Sequence, residues 1–153
     1  MKHPAPCPHC GASPYRNPVP TVDVVIHDPA CGVVIIRRAN KPVGYALPGG
    51  FIDPGETMET AARRELYEET GLVPRELRYL FSLPNTYPYS GIDVFTADLF
   101  YLARVPDFSA ARAADDAAAL DIRPLAALHA ADYGLTSIRN AVATIVDDPA
   151  RLH

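Results

Sequence analysis

The first apolar positions to recur along the chain come in short runs rich in β-branched residues. TVDVVIHD (21–28) and GVVIIRR (32–38) each read as a strand, joined through a turn at Asp28-Pro29-Ala30. ELRYLFSL (76–83) predicts another, and IDVFTADLFYLARV (92–105) is long enough for one bent strand or for two. A longer period interrupts them. Thr57 suits a helix N-cap and Gly71 the residue after a helix, so residues 58–70 are predicted helical. A closing helix is predicted over 136–148, where Ile138, Ala141, Val142 and Ile145 make one stripe. The connecting segments carry less period. ANKPVGYALPGG reads as loop with a short strand at Tyr45–Leu47, and PNTYPYSG (84–91) reads as loop. Residues 109–119 leave helix and loop open, because alanine favours the first and Asp115-Asp116 the second. LDIRPLAALHAAD predicts a strand, then a short helix opening at Pro124. Strands interleaved with helices, without an internal repeat, indicate a layered α/β or α+β fold. Residues 1–18 stand apart as a Cys/Pro-rich appendage, and 19–153 form a single domain.

The predicted first helix places three glutamates within two turns. At about 100° per residue, Met58, Ala61, Ala62 and Leu66 fall on one side together with Glu65 and Glu69. Glu68 lies at the edge of that side, while Thr60, Arg63, Tyr67 and Thr70 fall opposite. The stripe that should face the core therefore continues into carboxylates. Like charges at these spacings repel by roughly 0.2–0.5 kcal/mol per pair. A solvated acidic face would put the Met/Ala/Leu stripe in water as well, so the carboxylates are expected to point inward or into a cleft. Arg64, on the flank, cannot neutralise three of them. Clustered hard oxygens favour Mg²⁺ or Mn²⁺, and Mg²⁺ characteristically combines a few carboxylates with substrate phosphate oxygens. The preceding loop, LPGGFIDPGET, brings Gly49-Gly50 in front of the helix, where glycines permit close approach of backbone to a ligand.

Composition narrows the classes. The chain has 153 residues, 48% of them apolar and 21% charged, an ordinary globular balance. A net charge of −4 gives no general attraction to nucleic acid or to anionic membranes. There is no run of membrane-spanning length and no apolar signal stretch at the N-terminus, so a cytoplasmic location is the default expectation. Three cysteines are too few for a disulfide scaffold. Cys7 and Cys10, spaced CxxC, supply half of a structural zinc site. His3, His9 or a second subunit could complete it, but bound zinc is not the expectation. A small-molecule partner is expected, and a homodimer is left open.

Gly50-x5-Glu56-x7-Arg64-Glu65-Leu66-x-Glu68-Glu69-x-Gly71-Leu72 resembles a complete Nudix box, with every specified position filled at the right spacing. The resemblance implies the Nudix α/β/α sandwich on a mixed sheet. It also implies Mg²⁺-dependent (or Mn²⁺-dependent) hydrolysis of a nucleoside diphosphate linked to another group. Carried over by position, Glu65, Glu68 and Glu69 would be metal ligands, with the Gly49 carbonyl a further one. Arg64 would orient the glutamates, and Glu56 would hold the junction of loop and helix. The water's proton would go to Glu68, or to Asp115 or Asp116 in the later loop.

SLPNTYPYS (82–90) partly resembles the SQPWPFPxS signature of NADH pyrophosphatases. Ser82, Pro84, Pro88 and Ser90 match, Tyr87 replaces Phe, and Asn85-Thr86 stand where that signature has Trp-Pro. CPHCG resembles half of the zinc ribbon preceding the catalytic domain in the same group. The substrate-facing candidates are Gly50, Arg38, Tyr87, Tyr89 and Asp116. Asp23 and Asp98, inside predicted strands, either line the cleft or sit on solvent faces, and the solvent faces are the expectation. The leading reading is a pyrophosphatase for a dinucleotide or nucleotide sugar of NADH or ADP-ribose type. Alternatives are hydrolysis of nucleoside triphosphates, oxidised ones included, and a non-catalytic nucleotide-sensing module. A zinc-dependent nucleic-acid-binding module is disfavoured by the acidic balance and by the missing half of the knuckle.

Overall fold

The computed structural model describes residues 6–11, 17–39, 42–89, 91–115 and 117–153; the side chains of Tyr89 and Ile92 lie outside the described set. Its strands are β1 (Val19–Asp28), β2 (Gly32–Arg38), β3 (Tyr45–Ala46), β4 (Gly49–Phe51), β5 (Glu76–Tyr89), β6 (Ile92–Arg104) and β7 (Ala117–Arg123). Helices α1 (Met58–Thr70) and α2 (Thr136–Asp147) complete the frame, with short 3₁₀ turns at Leu125–Ala127, Ala130–Asp132 and Pro149–Leu152. The seven strands make one sheet in the order β3-β2-β1-β6-β5, with β4 paired to β1 and β7 to β2. The β1–β6 pair is parallel and the others are antiparallel, so the sheet is mixed.

Helices cover both faces. Val22, Val24 and Ile26 of β1 pack with Ala61, Ala62 and Leu66 of α1. On the other face Val25 joins Phe100 and Leu102 of β6 and Ile138, Val142 and Ile145 of α2. The period-2 alternation of β1 thus feeds two cores, which is why its run is β-branched almost throughout. This is the α/β/α sandwich expected.

Helix α1 spans the predicted residues. Thr57 caps it by accepting from the Thr60 N–H at 3.2 Å, and Gly71 ends it in the left-handed region at φ 71°. Thr70, expected outward, is fully buried. Its hydroxyl donates back to the Leu66 carbonyl and accepts from the Leu72 N–H, because the chain turns at Gly71 and a later loop packs over the helix end. Met58, expected inward, is exposed at the first turn.

Three assignments change. PNTYPY continues β5 as a strand, paired to β6 as far as Tyr89↔Ile92. Pro84 and Pro88 are tolerated because β5 is the edge strand, where a missing N–H costs no ladder bond on the open side. Gly49–Phe51, expected as loop, pairs with Thr21–Asp23 as β4. The short helix expected after Pro124 is two separate 3₁₀ turns.

Candidate active site

One arginine organises the junction of loop and helix. Arg64 donates from Nε and Nη2 to the two oxygens of Glu56, at 3.0 and 2.9 Å, a two-pronged pair. Nη2 also donates to the Phe51 carbonyl at 3.1 Å. Nη1 donates to Glu65 Oε1 at 2.7 Å and to Glu68 Oε2 at 3.2 Å. The segment 51–56 is therefore tied to α1 through one guanidinium, and two of the three helix glutamates are turned toward it. Glu56 closes its own loop by accepting from the Asp53 N–H at 3.1 Å. The Arg64 guanidinium, aided by that N–H, holds the Glu56 carboxyl below the usual carboxylate range.

Glu65 and Glu69 lie deeper. The Glu65 carboxylate packs flat against Gly50, where a Cβ would sit 2.5 Å from Oε1. Burial pushes the Glu65 carboxyl up, against the pull of Arg64, and Glu68 and Asp115 push it further. Glu69, buried, accepts from the Gly49 N–H at 2.9 Å. Gly49 in turn lies so close to β1 that a Cβ would overlap the Val22 carbonyl oxygen. The two glycines are thus required by close approach, one to a carboxylate and one to a neighbouring strand.

The donor chemistry can be weighed against a hard divalent cation. The oxygens are carboxylates and a backbone carbonyl, several are partly buried, and Glu65 is destabilised as an anion by burial first and then by its acidic neighbours. That set fits Mg²⁺ or Mn²⁺ in kind and in its excess of negative charge. Arg64 fills the cationic role between Glu65 and Glu68. Among the described residues no three His, Cys, Asp or Glu side chains converge into a ready-made cation cage. A cation would therefore share these carboxylates with Arg64.

The loop after β6 reaches the same corner. The Arg112 N–H donates to the Thr70 carbonyl at 3.0 Å and the Ala114 N–H to the Glu69 carbonyl at 3.1 Å. Asp115 follows in the left-handed region at φ 49°, near enough to Glu65 to raise its proton affinity. Asp116 lies outside the described residues, as do His3 and the side chain of Tyr89.

A cavity of about 290 Å³ adjoins Gly49 and Glu69 on the face of the sheet that carries α2. Its walls include Asp23 and Asp98 from adjacent strands, Arg38, Asn85, Tyr87 and Thr96. Gly50 and Phe51 form the lip toward the glutamates, and Leu135 and Ile138 at the start of α2 form the apolar side. Asp23 and Asp98 are 7% and 4% exposed, which corrects the expectation of solvent faces. β1 and β6 are interior strands covered on both sides, so neither has a solvent face at that level. Asp98 accepts from the Thr21 hydroxyl at 2.6 Å and from the Ser137 hydroxyl of α2. Burial, then Asp98 and Glu69, hold the Asp23 carboxyl well above the usual range. A lone aspartate within each β-branched run was the available signal for these two.

Arg38 and Tyr87 meet at the cavity: Nη2 donates to the tyrosine hydroxyl at 2.9 Å, and the guanidinium carbon lies 5.6 Å from the ring centre. Phe51 meets the Tyr87 ring edge-on at 5.8 Å. Arg37, one residue earlier in β2, is set over Tyr45 instead. Cys7 and Cys10 are free thiols, and the Gly11 N–H donates to the Cys7 carbonyl at 2.8 Å.

Comparison with known proteins follows the same lines. A sequence profile of the NUDIX domain matches residues 17–142. The chain is 34% identical over 96 residues to an NAD-capped RNA hydrolase, NudC, from Deinococcus radiodurans, covering 60% of this chain and 34% of that one. It is 41% identical over 78 residues to an ADP-ribose pyrophosphatase from Methanocaldococcus jannaschii, covering 48% of this chain and 46% of that protein. It therefore spans between a third and a half of these curated relatives. The NUDIX domain of Shewanella oneidensis NrtR, solved with ADP ribose, superposes with a TM-score of 0.60 at 26% identity, over 73% of this chain and 76% of that one.

Proposed function

The chain belongs to the Nudix family, and from that premise we propose that it hydrolyses the diphosphate linkage of a nucleoside diphosphate joined to a second group. The substrate proposed is a small dinucleotide or nucleotide sugar of NADH or ADP-ribose type. The observation that carries this reading is the junction at Gly49. Its N–H holds Glu69, its neighbour Gly50 lies under Glu65, and the nucleoside-sized cavity opens beside both.

In this reading the Gly49 carbonyl, Glu65, Glu68 and Glu69 hold the divalent ion. Such an ion, when bound, neutralises diphosphate oxygens and acidifies water. The protein's own parts then have separate tasks. Arg64 fixes the carboxylates of Glu65 and Glu68 and pins the Phe51 carbonyl and Glu56, so the glycine lip keeps its place. Glu68, the most exposed of the three, accepts the attacking water's proton on a carboxylate oxygen; Asp115 is the other candidate. Arg38 offers charge near the cavity mouth for a phosphate oxygen. The Tyr87 ring, braced edge-on by Phe51, supplies an aromatic wall for a ring.

The test is a screen of NADH, ADP-ribose and nucleoside triphosphates, with and without Mg²⁺, with products identified. AMP from NADH or ADP-ribose is the expected result. A mononucleotide plus pyrophosphate from a triphosphate would replace this reading by the triphosphate one. Binding without turnover, with the glutamates intact, would replace it by a sensing role.

A further inference from the structure

We propose that Asn85 and Thr96 select the substrate's ring, binding a flat heteroaromatic group by an edge that carries an amino donor beside a hydrogen-bond acceptor. The inference rests on the nucleotide reading above and names the part of the substrate that the cavity grips.

The two residues face each other across the β5–β6 ladder, so their side chains lie side by side on the cavity face. They are 9% and 3% exposed. The Thr96 hydroxyl is buried without a hydrogen-bond partner. The Asn85 side chain, largely buried, lines the same cavity. Burying an unsatisfied polar group costs stability and gives the fold nothing in return. The Thr96 hydroxyl is such a group and its residue lines the cavity, which supplies a reason: it waits for an external partner.

The chemistry of that partner follows from the donors and acceptors on offer. An asparagine amide presents a donor and an acceptor in one plane, and its complement is an adjacent acceptor and donor. The hydroxyl can serve either way. The acidic wall narrows the choice. Asp23 and Asp98 stand on the neighbouring strands β1 and β6, and both oxygens of Asp98 already accept hydroxyl protons. An amino group beside Asp98 is accommodated, whereas a carbonyl or carboxylate there would meet oxygen. Leu135, Ile138 and the Tyr87 ring in its lining suit a flat apolar body. The cavity's 290 Å³ has room for one ring and its sugar, with the phosphates leaving past Gly49 toward Glu69. Two halves of a dinucleotide carry such an edge: adenine, through its amino group and ring nitrogen, and nicotinamide, through its carboxamide.

The experiment is calorimetric titration of the full chain, in EDTA, with two pairs of mononucleotides. AMP is set against IMP, and nicotinamide mononucleotide against nicotinic acid mononucleotide. None contains a diphosphate and none needs turnover, so the result is independent of hydrolysis. We expect a preference of about tenfold or more for the amino-bearing member of one pair, and the pair that shows it identifies the ring. The preference should collapse in Thr96→Val and in Asn85→Leu. Thr96→Val, which removes the unpartnered hydroxyl at nearly constant shape, should melt no lower than the natural protein and so keeps the test valid if Asn85→Leu misfolds. Equal affinities within both pairs, absence of binding by all four, or a preference unchanged in Thr96→Val would overturn the proposal. Selective binding without hydrolysis of any substrate would leave it standing and remove the proposed function instead.

Discussion

On one side of Gly49, Glu56, Glu65 and Glu68 share a single guanidinium; on the other, Asp23 and Asp98 are buried with, among the described residues, no guanidinium at hydrogen-bond distance. The first group holds surplus negative charge, with Arg64 as the resident positive charge. The second is held by burial and by hydroxyl donors, and it forms a wall rather than a cage. Glu69 belongs to both, since it extends from α1 and lines the cavity. The difference teaches how one fold can keep two acidic groups a strand apart in different ways. The carboxylates of α1 and its loop are kept partly open and paired with arginine. Those of the cavity wall are sealed into interior strands.

The largest expected effect breaks the first region. Glu69→Gln should lower turnover on the order of 100-fold or more, as when a group that stabilises reacting charge is removed, while circular dichroism shows an intact fold. Gly50→Ala is next. Its Cβ would press on the Glu65 carboxylate, so we expect a loss of roughly 10- to 100-fold in kcat/KM, the scale seen when a ligand's support is disturbed, with a normal spectrum.

A pH experiment separates the two regions. Asp23 and Glu65 are both held above the ordinary carboxylate range, chiefly by burial. The unfolded chain releases those protons at lower pH than the folded one does. Their stabilising contribution is therefore complete below the ordinary carboxylate value, near pH 4, and is lost as pH rises through the raised values. Glu56 is shifted the other way by Arg64, so its contribution is present above the ordinary value and lost on acidification. In EDTA, Asp23→Asn should gain thermal stability over the natural protein, with the gain growing between about pH 4 and 7. A difference that stays flat across that range would count against a sealed acidic wall. The smallest effect is local: Thr57→Ala removes the N-cap of α1 and should cost about 1 kcal/mol in urea unfolding.

The two regions also differ in how far they could be read in advance. Helix α1 is legible because its determinants are neighbours in the chain: the Thr57 cap, the apolar stripe, the glutamates and Gly71. The cavity draws on β1, β2, β5, β6 and α2, so nothing local marks it. Asp23 and Asp98 look like solvent positions until the sheet order shows β1 and β6 to be interior. Asn85 sits in a segment whose prolines and glycine argue for loop, and only its edge-strand pairing with β6 turns it toward Thr96. β4 is hidden for a related reason. Gly49 and Gly50 have low strand propensity, and their pairing depends on the backbone of β1.

The central claim is that the carboxylates around Gly49 and Gly50 hold a divalent ion for attack on a phosphoanhydride. Electron paramagnetic resonance of Mn²⁺, titrated into the natural protein and into a Glu65→Gln/Glu69→Gln double variant, tests it most directly. The account predicts a protein-bound Mn²⁺ signal that competes with Mg²⁺ and is lost in the folded double variant. An undiminished signal in that variant would contradict it.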